Sequence, residues 1–321
     1  VTTAPEKKGT VSLWRRCWPP AFLLASTAFV IWHFREEGTR VAKLGPLDWR
    51  FLAAALVLQL SYLAINTLCW HSTVRWYAGV RLTWLASFRQ LTMAALGKYF
   101  PGKVWGMIAR ADALKQAGVP LRRSALATIN EQFLLLYASL LICTLSWLLI
   151  RPDGYAATAA LAAGAGLFAL PRLQRWTLGL RLVHRIFHEN FSETGENNVL
   201  NLSQILFLVG CYSAIWVISG LTIGALYYAI FGGNPTLAMF AQLIVANTIG
   251  ISIGFFAVFS PGGLGIREAI TGAMLAAHIG AESAVLLCLA FRLWIVAFEL
   301  LGGLSLLMRE GKTTGNAPRN D

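Results

Sequence analysis

Charge is what this sequence has least of. Asp, Glu, Lys and Arg make up 13% of its 321 residues, about half the share of a soluble globular domain, which excludes a conventional water-exposed surface. Acid is scarcer than base: 15 carboxylates stand against 27 Lys and Arg, for a net charge of +12. The five cysteines, at 17, 69, 143, 211 and 288, are scattered singly, which excludes a disulfide framework and leaves no metal-ligand spacing. His184 and His188 stand four apart in an Arg-rich stretch with no Cys or acid beside them, so no metal site is expected there. HExxH and the full GxxxxGK[ST] phosphate loop are missing, which removes the matching metallohydrolase and nucleotide chemistries. No cofactor, no metal and no catalytic residue is expected. Period-two alternation is missing too, and with it a membrane β-barrel.

What the chain has instead is hydrocarbon, 56% of it by residue. Apolar runs cover 20–34 (short), 49–70, 124–150, 155–170 (short), 203–231, 236–259 and 283–307. A helix needs roughly 20 such residues to cross a bilayer. The basic residues gather between the runs: Lys7, Lys8, Arg15 and Arg16 at the start, Lys98 to Arg123 with Asp112 as the one acid, and Arg172 to Arg185 with none. Arg309, Lys312 and Arg319 follow the last run. Positive charge stays on the cytoplasmic side. The reading is therefore a multi-pass protein of a bacterial inner membrane with both termini cytoplasmic, a basic tail over 1–19 rather than a cleaved signal, and a second tail over 309–321. Basic loops between spans give no reason to expect nucleic acid.

The two halves repeat each other. "LASFRQL" (85–91) matches "LAMFAQL" (237–243) at most positions, and Pro101–Gly102 in "KYFPGKVWG" falls on Pro261–Gly262 in "AVFSPGGLG". Each Pro-Gly is followed by a helix-length run and then a long apolar span. Counting crossings, equivalent segments of the halves (about 49–170 and about 203–308) point in opposite directions, the inverted-repeat plan of many transporters. The predicted fold is all-α: a polytopic helical bundle with two re-entrant Pro-Gly hairpins, 83–120 and 236–281, and about six full spans, or about eight if 236–259 crosses completely.

A broken helix inside lipid is tolerated only against protein or a wet cavity. Helices starting after Pro101 and Pro261 would aim their positive N-termini at the membrane interior, where they suit an anion such as phosphate. The tips are assigned to Pro101, Gly102, Pro261, Gly262, Gly263 and Gly265. Charges at membrane depth are expensive and usually paired or functional. Lys103, Arg110, Arg267, Glu268, Arg292, Glu131 and Glu299 are accordingly the candidate substrate-binding residues, with Trp105 lining the cavity. Glu131 and Arg292 are expected to face the same interior and to pair directly or through Glu268, while Lys98 snorkels to the headgroups. Gly220/Gly224 and Gly250/Gly254 are read as helix-packing positions, and Trp14, Trp18, Trp49, Trp70, Trp76, Trp84 and Trp176 as interfacial anchors.

"LGKYFPGKVWG" followed by "FSPGGLGIREA" resembles the membrane-embedded, flippase-like region of the lysylphosphatidylglycerol synthase family, over about residues 10–308. Full synthases of that family carry further helices and a soluble aminoacyl transferase domain. These 321 residues contain neither, so the resemblance implies lipid translocation and not lysine transfer. It places most weight on Pro261, Gly262, Gly263, Gly265, Arg267 and Glu268, then on Pro101, Gly102 and Lys103. The expected function is a flippase moving a phosphate-bearing lipid, either a phospholipid or a polyprenyl-phosphate-linked sugar. The alternatives are a lipid-modifying transferase in the membrane and a scaffold for a lipid-acting glycosyltransferase.

Overall fold

Asp48 opens the first long helix among the described residues. Its carboxylate accepts the Arg50 backbone N–H at 2.9 Å, satisfying one of the amides a helix start leaves unpaired. Helix α1 (Trp49–Thr73) then runs through the apolar stretch and closes in a π-helical turn, Val74–Ala78. A computed structural model describes residues 46–99, 105–172, 200–257, 263 and 265–315, and no strand occurs among them.

After α1 come α2 (Trp84–Gly97) and α3 (Trp105–Gln116), then α4 (Leu121–Ile150) and α5 (Gly154–Gly166). The later half holds α6 (Leu202–Phe231), α7 (Leu237–Phe256), α8 (Ile266–Ile279) and α9 (Ala281–Gly315). Side-chain caps from Thr83, Asp153, Asn201 and Thr236 set the starts of α2, α5, α6 and α7, each contributing about 1 kcal/mol.

Among the described residues five stretches are long and apolar enough to cross a membrane: Trp49–Ala78, Arg123–Ile150, Leu202–Phe231, Leu237–Phe256 and Ala281–Leu306. They coincide with five of the apolar runs. The run 155–170 forms α5, of 13 residues, and the turn after it. At about 1.5 Å per residue α2, α3, α5 and α8 reach only about 18–21 Å, short of the ~30 Å hydrocarbon layer. The expected tail 1–19, the run 20–34, the His184–His188 pair and the tip residues Pro101, Gly102, Lys103, Pro261 and Gly262 lie outside the described residues.

Helices α1 and α6 lie antiparallel. Phe51 meets Tyr228 at 5.5 Å between ring centroids, and Trp76 meets Phe207 at 5.7 Å, so each helix starts where the other ends. The Asp48 N–H donates to the Ala229 carbonyl at 3.0 Å and pins that register. Two apolar clusters follow from it. One gathers Trp70, Leu114, Leu134 and Ala138 with the early α6 residues Ile205 and Leu208. The other gathers Ile223, Leu243, Leu275, Leu287 and Phe291 with Ala55 of early α1.

Small residues bring the helices close, as packing in lipid requires. A Cβ on Gly220 would sit 2.7 Å from the Ile244 Cα, and one on Gly250 would sit 2.0 Å from the Thr271 hydroxyl. Both glycine pairs read from the sequence as packing positions therefore fall at helix contacts, α6 on α7 and α7 on α8. In the first half Gly106 does the same for α3 against α2, where an added Cβ would lie 2.7 Å from the Ala94 carbonyl oxygen.

Candidate functional site: a charged cavity between the two halves

Gly254 decides where Arg267 goes. A Cβ at 254 would lie 3.2 Å from the Arg267 Cβ, so the missing side chain lets the first turn of α8 settle on α7. Gly263 and Gly265, with φ of +73° and +81°, bring the chain into that turn, a backbone region open to glycine at little cost. Glu268 suits the helix start: its Oε2 accepts the Gly265 N–H at 2.8 Å. Arg267 does not, because a cation opposes the positive end of the helix dipole, by about 0.3–1 kcal/mol. Broken local rules of this kind concentrate at functional sites.

The Arg267 side chain enters a cavity of about 210 Å³ lined by α1, α2, α6, α7, α8 and α9, far above the ~10–15 Å³ that admits one water. Three charged residues among those described line it: Lys98, Arg267 and Glu299. Neutral polar groups, Gln59, Tyr62 and Asn66 of α1 and Thr92 of α2, share the wall with Phe88, Phe291 and Phe298.

Lys98 caps the C-terminal end of α2, where the helix dipole favours a cation, and it is ion-paired with Glu299 of α9. The Tyr99 hydroxyl donates to the other Glu299 oxygen at 2.8 Å. Lys98 thus bridges the halves rather than snorkelling to the headgroups, because a carboxylate stands within reach. Arg267 makes no ion pair among the described residues. Its guanidinium lies 5.2 Å from the centroid of the Phe291 ring, and its buried Nη2 has no hydrogen-bond partner there. Leaving a buried charged donor unmatched is costly, and an anion in the cavity would relieve it.

Behind the cavity wall, Arg292 is 1% exposed, lies 3.8 Å from Glu268 and sits 5.4 Å from the centre of the Tyr99 ring. Arg110 and Glu131 form a second buried pair, with the Arg110 guanidinium 4.1 Å from the centre of the Trp70 ring and the Trp70 Nε1–H donating to Gln90 at 2.8 Å. The expected Glu131–Arg292 pairing is not formed: each residue finds its counter-ion on the short helix beside it, within its own half. The polarity is reversed between halves, base on α3 and acid on α4, then acid on α8 and base on α9.

Of the sequence candidates, Arg267 and Glu299 line the cavity, while Arg110, Glu131, Glu268 and Arg292 are not among its lining residues. Trp105 opens α3, and the expectation for its ring lies outside what is described, as do those for Lys103, Pro101, Gly102, Pro261 and Gly262. Residues 21–303 match the family described as Lysylphosphatidylglycerol synthase TM region. The chain belongs to that family. Comparison with curated proteins finds no match.

This member of the lysylphosphatidylglycerol synthase TM family is thus a membrane protein, and its five long apolar helices fit a multi-pass one. Sequence reasoning passed over Tyr62, Asn66 and Tyr99 because single polar residues in apolar helices carry no spacing signal. It also placed Trp70 at the interface, whereas the ring is fully buried. Trp49 and Trp84, at helix starts and well exposed, fit the anchoring role.

Proposed function

We propose that this protein is a flippase-like transporter. It moves a phosphate-bearing anionic lipid, a phospholipid or a polyprenyl-phosphate-linked sugar, across the inner membrane by exposing the central cavity alternately to each side. The observation that carries the proposal is Arg267: an uncompensated guanidinium, with a buried nitrogen lacking a partner, in a polar cavity where the halves meet. Membership in a lipid-related membrane family supports it.

The inverted-repeat plan supports rocking as the motion. Each half has the order long helix, two-helix unit, long helix, and the first long helices of the halves lie antiparallel. Packing is exchanged accordingly: α9 rests on α2, and its counterpart α4 rests on α7. On this reading one membrane domain spans about 20–308 between two cytoplasmic tails, and α2–α3 and α7–α8 are re-entrant hairpins. The 20 residues of α7 favour a second topology in which it crosses fully. Cysteines placed at Thr236 and Ala257 decide between them: labelling from opposite faces of the membrane establishes a crossing.

Reconstitution tests the function. In vesicles, the purified protein should equilibrate fluorescent phospholipid or lipid-linked sugar between leaflets, and Arg267→Ala should slow this by at least about tenfold, equivalent to about 1.4 kcal/mol. Failure to move either lipid class would overturn the proposal, and chemical conversion of the lipid would point to a transferase.

A further inference from the structure

Among the described residues two cations and one carboxylate line the cavity, and they are not equivalent. Glu299 holds Lys98, and the Tyr99 hydroxyl holds Glu299 in turn. Arg267 is left as the uncompensated cation among the described lining residues. The charged and titratable neighbours of Glu299 are Tyr62 from α1, Lys98 and Tyr99 following α2, Arg267 from α8 and Arg292 on its own helix. The rest of the wall is neutral, either aromatic and aliphatic or amide and hydroxyl.

We infer that Glu299 is the specificity-determining residue of this cavity: by neutralising Lys98 it leaves one net positive charge among the described lining residues, so the site takes a phosphodiester headgroup bearing a single negative charge and rejects phosphate bearing two. A singly charged phosphate brings the cavity to neutrality. A second charge finds no free cation among the described lining groups and faces the Glu299 carboxylate, where weak screening makes like-charge contact expensive. Discrimination of this kind rests on a repulsive element as much as on an attractive one. The neutral amides and hydroxyls of Gln59, Asn66 and Thr92 suit a headgroup with uncharged polar substituents. The inference rests on the transport reading above, in that it assigns the cavity to a lipid headgroup.

Binding to the full chain in detergent tests it. The probes are dioctanoyl phosphatidylglycerol, a diester with one charge, and dioctanoyl phosphatidic acid at about pH 9, above the second ionisation of a phosphomonoester. Wild type should prefer the diester by at least about tenfold. Glu299→Gln should erase or invert that preference, because it frees Lys98 as a second cation. Should Glu299→Gln not fold, Lys98→Gln leaves the Glu299 carboxylate unpaired and the described lining without net charge, and should weaken diester binding by at least about tenfold; undiminished binding would overturn the inference. Equal binding of both lipids by wild type, or an unchanged preference in Glu299→Gln, would overturn the inference and leave the transport reading standing. If neither lipid binds, or inorganic phosphate displaces the lipid at equal concentration, the lipid reading falls and this inference with it.

Discussion

Trp70, Arg110 and Glu131 show what a charge needs in order to be buried in this protein. The guanidinium has a carboxylate on one side and an indole face on the other, and the indole N–H is itself engaged by Gln90. Removing one member leaves its partner charged and dry. Arg110→Ala or Glu131→Ala should therefore destabilise the fold by about 3–5 kcal/mol, while Arg110→Met with Glu131→Leu should recover most of the loss. Thermal unfolding in detergent reads both, and equal melting points for the single and double variants would refute the argument. The sequence exposed these charges because ionisable residues stand out in apolar runs. It did not expose their partners: Arg292 and Glu131 fall at similar places in the two halves, yet each turns to its own neighbouring short helix. Partner choice depends on how far each helix is rotated about its axis, and two isolated charges carry no periodicity that records it.

Among the elements, the helices were legible and the approach between them partly so. Long apolar runs have few alternatives in lipid, since a backbone there must satisfy its own hydrogen bonds. GxxxG spacing foretold the seams of α6 with α7 and α7 with α8. The α2–α3 seam at Gly106 has the same spacing to Gly102, but it lies outside the long apolar runs, where that spacing carries little packing signal. Gly106→Ala would press a methyl against the Ala94 backbone and should cost about 1–3 kcal/mol. Gly210→Ala, in a helix with nothing within 4 Å of the new Cβ, should stabilise by up to about 1 kcal/mol through helix propensity. Melting temperatures of the two variants should move in opposite directions, and a shared direction would show that space at the glycine does not govern the outcome.

At the scale of the whole molecule, the proposed rocking takes the antiparallel α1–α6 pair as its fixed axis and the cavity as the part that opens. A Cβ on Gly302 would lie 3.5 Å from the Thr92 Cγ2, within reach of a disulfide. With the native cysteines removed, a disulfide between cysteines at 92 and 302 should abolish transport until it is reduced. A flexible bismaleimide joining cysteines at 51 and 228, along the axis, should leave transport intact. Equal inhibition by both links would remove rocking as the mechanism. The sequence carried the doubled plan through the repeated Pro-Gly strings, but not the cavity, whose walls come from six helices spread over the chain.

The link between Lys98 and Glu299 has a consequence for synthesis. The two residues are 201 positions apart, which at about 5–20 residues per second is roughly 10–40 s of translation. During that interval the ribosome has delivered a lysine to the bilayer and not yet its counter-ion. The early helices must be held at the insertion machinery, or keep that amine at the water boundary, until α9 emerges. A chain cut between α5 and α6 should accumulate only when both pieces are made together.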